Sequence, residues 1–175
     1  MAKLIASLAT EGRLPLEIGT TRLDDAQPEA ITWVAPFDGK MTAVKKALGG
    51  FPDAGEVIET KAGRALAVGP GQAMVLGAPV TCDGAAIVDQ SDAWTVVALD
   101  GADARSVLAR LTPLDLRDTS LPEGATARTL IGHMTASLTR VGPYRYEIMV
   151  FRSMTHTLLH EVERAMTQVA ARAQL

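Results

Sequence analysis

The stretch Asp89–Leu116, DQSDAWTVVALDGADARSVLARLTPLDL, decides how the rest of the chain is read. Trp94–Leu99 (WTVVAL) is apolar and rich in β-branched residues, so it predicts a strand. Asp100-Gly101 breaks it. Asp100 is placed to cap a following helix, and Asp103 adds negative charge to its first turn, where the helix dipole favours it. Ala104, Val107, Leu108 and Leu111 recur at i, i+3, i+4 and i+7, one apolar stripe. Thr112-Pro113 ends the helix, because the residue before a proline is pushed out of the α region. The product is a βα unit whose helix must dock on a sheet.

Working outward, residues 85–175 read as one structural half. Ala125–Ile131 predicts a strand after a loop over Leu116–Gly124. In His133–Arg140, Met134, Ala136 and Leu138 alternate with His133, Thr135, Ser137 and Thr139, the signature of a second strand. Gly142-Pro143 turns the chain, and Tyr144, Tyr146, Ile148 and Val150 mark a third, so these two segments form a hairpin. Ser153 is expected to cap a final helix with the stripe Leu158, Leu159, Val162, Met166 and Val169.

Residues 29–84 repeat the order. Ala30–Ala35 predicts a strand, and Asp38 is placed to cap a helix over Gly39–Leu48, stopped by Gly49-Gly50. Short strands follow at Glu56–Thr60, Arg64–Val68 and Gln72–Leu76 between glycine turns. The expected fold is α+β: two βαββ-like halves, about 29–84 and 85–175, with mainly antiparallel sheets around a shared core. Residues 1–28 show no clear period and read as an N-terminal arm with a short strand near Leu16–Ile18, either mobile or held by a partner.

Composition narrows the function. The chain has 175 residues, 47% hydrophobic and 21% charged, with net charge −3. A broad nucleic-acid surface would need a basic excess, and aromatics at 4% are too few for a base-stacking platform. Cys82 is the one cysteine, so no intramolecular disulfide forms and a reducing compartment is expected. Its neighbours Thr81 and Asp83 supply no positive charge to activate it. The opening MAKLIASLATEGRLP has too short an unbroken apolar run for a signal peptide, and no stretch reaches the roughly 20 residues a bilayer span needs. The expectation is a cytoplasmic protein that binds neither membrane nor nucleic acid.

Candidate chemistry is sparse. His156 and His160 lie one helical turn apart with Glu163 near the same face, but the glutamate of the H-E-x-x-H pattern is replaced by Thr157. Gly69-Pro70-Gly71-Gln72 runs from strand to strand, and Pro70 removes an amide donor, so it reads as a turn rather than a phosphate loop. His133, Ser91, Ser106 and the loop aspartates show no pairing suited to acid–base or nucleophilic work. No catalytic, cofactor-binding or metal-binding residue is assigned. Trp33, Trp94, Arg152 and His156 are instead the candidates for an interface: tryptophan and arginine are enriched at binding hot spots, and Arg152 sits at the wrong end of a helix to favour its dipole.

A resemblance adds to this. The string Val97-x-x-Asp100-Gly101-x-Asp103-Ala104-x-x-x-Leu108-x-x-Leu111-x-x-Leu114-Asp115-Leu116 resembles the sequence around the first helix of aminomethyltransferase-like, folate-binding domains of the glycine-cleavage T-protein type. Ala127-Arg128-Thr129-Leu130, Leu138-x-Arg140, Tyr146-Glu147-Ile148-Met149-Val150 and Arg152-Ser153 continue it. Together they resemble the gamma subunit family of heterotetrameric sarcosine oxidases. Where that family often has Gly-Pro-x-x-Trp, this chain has Ala73 in place of the tryptophan. The resemblance implies an aminomethyltransferase-like fold and a structural, non-catalytic subunit working with alpha, beta and delta subunits. The implied complex demethylates sarcosine to glycine, with hydrogen peroxide and a one-carbon unit captured by tetrahydrofolate. FAD, FMN, NAD and tetrahydrofolate are then expected in the other subunits, and none in this one. The alternative is a stand-alone folate-binding module of the aminomethyltransferase type.

Overall fold

The structure is a computed structural model, described here over residues 7–173. Eleven strands form in chain order: β1 (Leu16–Ile18), β2 (Thr21–Asp25), β3 (Ala30–Pro36), β4 (Val57–Thr60), β5 (Gly63–Gly69), β6 (Gln72–Gly77), β7 (Ala85–Asp89), β8 (Trp94–Gly101), β9 (Thr126–Ile131), β10 (Met134–Arg140) and β11 (Arg145–Phe151). Three helices accompany them: α1 (Met41–Leu48), α2 (Ala104–Leu108) and α3 (Thr155–Arg172). Sheet I has the order β4-β5-β6-β3-β7 and sheet II the order β1-β2-β8-β11-β10-β9. All pairings are antiparallel. The α+β class with antiparallel sheets is therefore as expected.

The internal repeat is clearer in the topology than in the sequence. β3-α1-β4-β5-β6 folds with sheet order β4-β5-β6-β3, and β8-α2-β9-β10-β11 folds with order β9-β10-β11-β8. Each half carries one strand more after its helix than the βαββ pattern. The strand that precedes each half crosses to the other sheet. β2, ahead of β3, pairs with β8, with Leu23 opposite Leu99. β7, ahead of β8, pairs with β3, with Val88 opposite Trp33.

Two sequence expectations change as a result. The described part of the 1–28 arm is not an arm held by a partner: β2 lies inside sheet II and buries Leu23 completely. No period shows in the sequence because this strand is short and holds a single apolar residue, Leu23, among Thr21, Arg22, Asp24 and Asp25. Residues 1–6 of that arm lie outside the described residues. Ala85–Val88 does not lead into the second half but completes sheet I, which moves that boundary to Asp89.

The expected shared core is three apolar layers. Val34, Val44, Leu48 and Val75 pack α1 on the outer face of sheet I. Val97, Leu99, Ile148, Leu158 and Val162 pack α2 and α3 on the outer face of sheet II. Ile31, Leu66, Met74 and Leu76 of sheet I meet Trp94, Val96 and Met149 of sheet II in the middle. β8 is thus covered on both faces, which is why WTVVAL is an unbroken apolar run with every residue buried. At one corner the sheets are stitched by backbone: Val57 N–H donates to the Gly124 carbonyl at 3.0 Å and Thr126 N–H to that of Gly55 at 2.9 Å. Nearby, Arg64 of β5 grips both carboxylate oxygens of Glu147 of β11, at 2.7 and 2.9 Å, across the layer.

The helix caps differ from expectation. Asp100 stays in β8 and pairs with Arg145 at 3.2 Å, because the strand runs on to Gly101. Gly101 has φ +127, and a Cβ there would lie 1.9 Å from the Thr20 carbonyl oxygen, so the close crossing of β2 requires glycine. Asp103 is the residue before α2, and its carboxylate accepts the Thr20 hydroxyl at 2.6 Å. Asp38 does not cap α1, which starts after Lys40 without a side-chain cap. Ser153 lies exposed in a 3₁₀ turn over Arg152–Met154, and α3 starts two residues later. Thr155 secures that start instead: its hydroxyl donates to the Arg152 carbonyl at 2.7 Å and lies 2.8 Å from the Thr95 hydroxyl.

Candidate interface surface

The long loop after α2 is fixed by an arginine rather than by strands. Arg140 is almost wholly buried on β10. It donates to the carbonyls of Leu121, Gly142 and Pro143, at 3.2, 3.2 and 3.1 Å, and to the Asp118 carboxylate at 2.6 Å. Its guanidinium also lies 6.0 Å from the Tyr146 ring centre. Arg105 of α2 pairs with the same Asp118. Hydrogen bonds from Arg140 first, then Arg105, hold the Asp118 carboxyl below the usual carboxylate range. This cluster is fully paired and is explained as a clamp.

The four interface candidates fall into two neighbouring groups. Trp33 and Trp94, from corresponding strands of the two halves, line one groove of about 470 Å³ at the mouth of the inter-sheet layer, together with Met74, Val88 and Arg128. Trp33 Nε1–H donates to Gln72 Oε1 at 3.4 Å. Arg152 and His156 line a second depression of about 660 Å³ with Phe151 and Asp92. Phe151 joins the two, since its ring stacks on Trp94 at 4.3 Å with a 21° interplanar angle. Arg152 donates to the Ser7 carbonyl, so the start of the chain accounts for one of its hydrogen bonds.

Sequence reasoning missed three contributors. Phe151 follows Val150 on β11 and points to the opposite face, with Glu147 and Met149, toward sheet I. Arg128 and Leu130 share the corresponding face of β9. The signal available was alternation: a leucine among the polar positions Thr126, Arg128 and Leu130 marks a face that is neither plain core nor plain surface. Trp94 Nε1–H is buried without an acceptor among the described residues, as is the Ser137 hydroxyl. The Arg128 guanidinium carbon lies 5.9 Å from the Trp94 ring centre.

The remaining candidates stay apart. His133, His156 and His160 are exposed, on the β9–β10 turn and the outer face of α3. Among the described residues, no group of three or more His, Cys, Asp or Glu side chains converges. Cys82 is half-buried, and burial first, then Asp83, pushes its thiol pKa up, away from the reactive thiolate. Gly69-Pro70-Gly71-Gln72 is the β5–β6 hairpin turn, with Gly71 at φ +62. Ala73 fills the core under α1. Among the described residues, no helix is long and apolar enough to cross a membrane.

No family model matches the chain, and no curated protein matches it. Solved structures do. A chain of the heterotetrameric sarcosine oxidase from Corynebacterium sp. U-96, determined in complex with pyrrole 2-carboxylate, superposes with a TM-score of 0.77. The match covers 93% of this chain and 91% of that one at 21% sequence identity, so the two chains are of closely similar length. Over 93% of its length, the protein therefore has the fold of a chain of heterotetrameric sarcosine oxidase.

Proposed function

We propose that this chain is the gamma-type subunit of a heterotetrameric sarcosine oxidase, with a structural rather than catalytic role. The observation that carries the reading is the fold likeness, over 93% of this chain, to a chain of such a complex, of nearly the same length. The ordered residues from Val97 to Ser153 that resemble the gamma subunit family point the same way. In the proposed complex, alpha, beta and delta subunits are the partners. The reaction is oxidative demethylation of sarcosine to glycine, with hydrogen peroxide and a one-carbon unit passed to tetrahydrofolate.

FAD, FMN, NAD and tetrahydrofolate are assigned to the other subunits. The glycine-rich turn of this chain at Gly69–Gly71 joins two strands, and Pro70 removes an amide donor, so it lacks the helix N-terminus of a phosphate loop, which supports that assignment.

The test is recovery of the tagged chain from its own host, with mass spectrometry of the partners and an absorbance spectrum of the eluate. Two large subunits and a small one, flavin absorbance and sarcosine-dependent peroxide are the expected result. A colourless eluate without partners refutes the subunit role, and binding in a subsequent folate titration would then favour the stand-alone module.

A further inference from the structure

We propose that the row Leu130–Phe151–Trp94, with Arg128 and Trp33 beside it, is the docking surface for a partner segment that presents an apolar side chain next to a carboxylate. This deepens the subunit reading and rests on it for the partner, a larger subunit of the complex.

The surface is a sheet face that the described residues leave uncovered. Phe151 pairs with Trp94 across β11 and β8, and Leu130 pairs with Thr135 across β9 and β10. Both pairs lie on the face of sheet II that carries Val96 and Met149 into the middle layer. Val96 and Met149 are nearly fully buried under sheet I, whereas Phe151, two residues beyond Met149 on β11, is 45% exposed and Leu130, two strands over on β9, is 44% exposed. The same face is therefore core at one end and open at the other.

Two polar groups specify what should cover it. Trp94 is 4% exposed, yet its Nε1–H, a group that can only donate, has no acceptor among the described residues. Buried donors are normally satisfied, so this one marks a groove wall that the described residues leave incomplete. Arg128 is exposed over the same ring, and no carboxylate of the described residues lies within ion-pair distance of it. A cation that is unpaired beside a donor-only indole is complementary to a carboxylate, and the exposed leucine and phenylalanine are complementary to an apolar side chain. Trp and Arg grouped around a partly closed apolar groove is the composition of binding hot spots. An enclosed small-molecule site would bury most of its ligand; here the groove wall is Trp94 and Arg128, and Phe151 stacked on Trp94 and Leu130 on the Arg128 strand extend the same sheet face beyond it.

The test uses the complex from the native host, with the chain replaced by tagged wild type, Arg128→Glu, Leu130→Asp or Tyr144→Ser. Tyr144 is exposed on the β10–β11 turn, at the far end of β11 from Phe151, and serves as the control. If the wild type recovers no flavin-bearing subunits, the subunit reading fails and takes this partner with it. If the wild type does recover them, Arg128→Glu and Leu130→Asp should each lower recovery about tenfold or more, as expected for charge reversal or a buried charge at an interface, while Tyr144→Ser should not. Equal urea midpoints for the purified variants show that they fold. Wild-type recovery by both groove variants, or equal loss in all three, overturns the proposal. A photo-crosslinker at position 130 gives a second readout. A crosslinked peptide from a larger subunit containing Asp or Glu supports the proposal; crosslinks only to a second copy of this chain, or none at all, overturn it.

Discussion

Replacing Leu23 by alanine tests whether the start of the chain belongs to the fold. Leu23 sits on β2, between β1 and β8, and is fully buried against Val97, Leu99 and Tyr146 in the layer beneath α2 and α3. Removing a fully buried leucine side chain loses its transfer free energy and leaves a cavity, together about 3 kcal/mol. The site is flanked by strands on both sides and roofed by helices, so collapse to fill the cavity is restricted, which keeps the loss above the floor of about 2 kcal/mol for such changes. For a chain of this size each kcal/mol lowers Tm by about 2–4 °C, so a drop of about 6–12 °C is expected. Urea unfolding of the purified chain measures it directly: the midpoint should fall while the slope stays constant, since the same surface is exposed on unfolding. Leu8→Ala is the companion, because Leu8 is 50% exposed and should change stability by no more than about 0.5 kcal/mol. If Leu23→Ala were as mild as Leu8→Ala, β2 would not be integral to sheet II, and the segment would be an arm after all.

Three further outcomes follow from the clamps. Arg140→Met removes the donor shared by the carbonyls of Leu121, Gly142 and Pro143 and should cost about 3 kcal/mol by urea unfolding, since buried acceptors are left unpaired; a loss near zero would show that the loop does not depend on it. Glu147→Gln and Arg64→Met should each cost about 1–2 kcal/mol, a reduced figure because the Arg64 side chain is 31% exposed, and the double variant should cost less than their sum; strict additivity would mean that the inter-sheet pair is not coupled. Asp118 has its folded pKa lowered by Arg140 and then Arg105, so its stabilising contribution is complete above the unfolded value of about 4 and is lost as pH falls through the folded value below it. Asp118→Asn should therefore be less stable than wild type at pH 7, with the gap closing below about pH 4 and shrinking in high salt; a gap unchanged between pH 7 and pH 3 would contradict that assignment.

Local periodicity gave the strands of each half within a residue or two. Met134, Ala136 and Leu138 do face the helices, and Leu158, Leu159, Val162 and Met166 do form the buried stripe of α3. Helix starts were less legible. Asp38 and Ser153 each have a side chain able to cap, but α1 starts only after Lys40 and α3 only after the turn at Arg152–Met154; Asp100 could cap only if the strand before it stopped in time. β8 instead continues to Gly101 because β2 and β11 both pair along it. Of the candidate site, the residue types could be picked out singly. Their grouping could not, since Trp33 and Trp94 are 61 positions apart and meet only through the crossing of two sheets.

By itself the sequence determined the α+β class and the repeated strand–helix–strands order, because these depend on side-chain period and spacing within a few residues. The tertiary structure alone decided that β2 and β7 exchange sheets, that the core divides into three layers, and that the described residues leave one end of the middle layer open at Leu130 and Phe151. Which strand edge accepts a distant segment depends on which backbone donors and acceptors the rest of the fold leaves free, and no local pattern of residues encodes that.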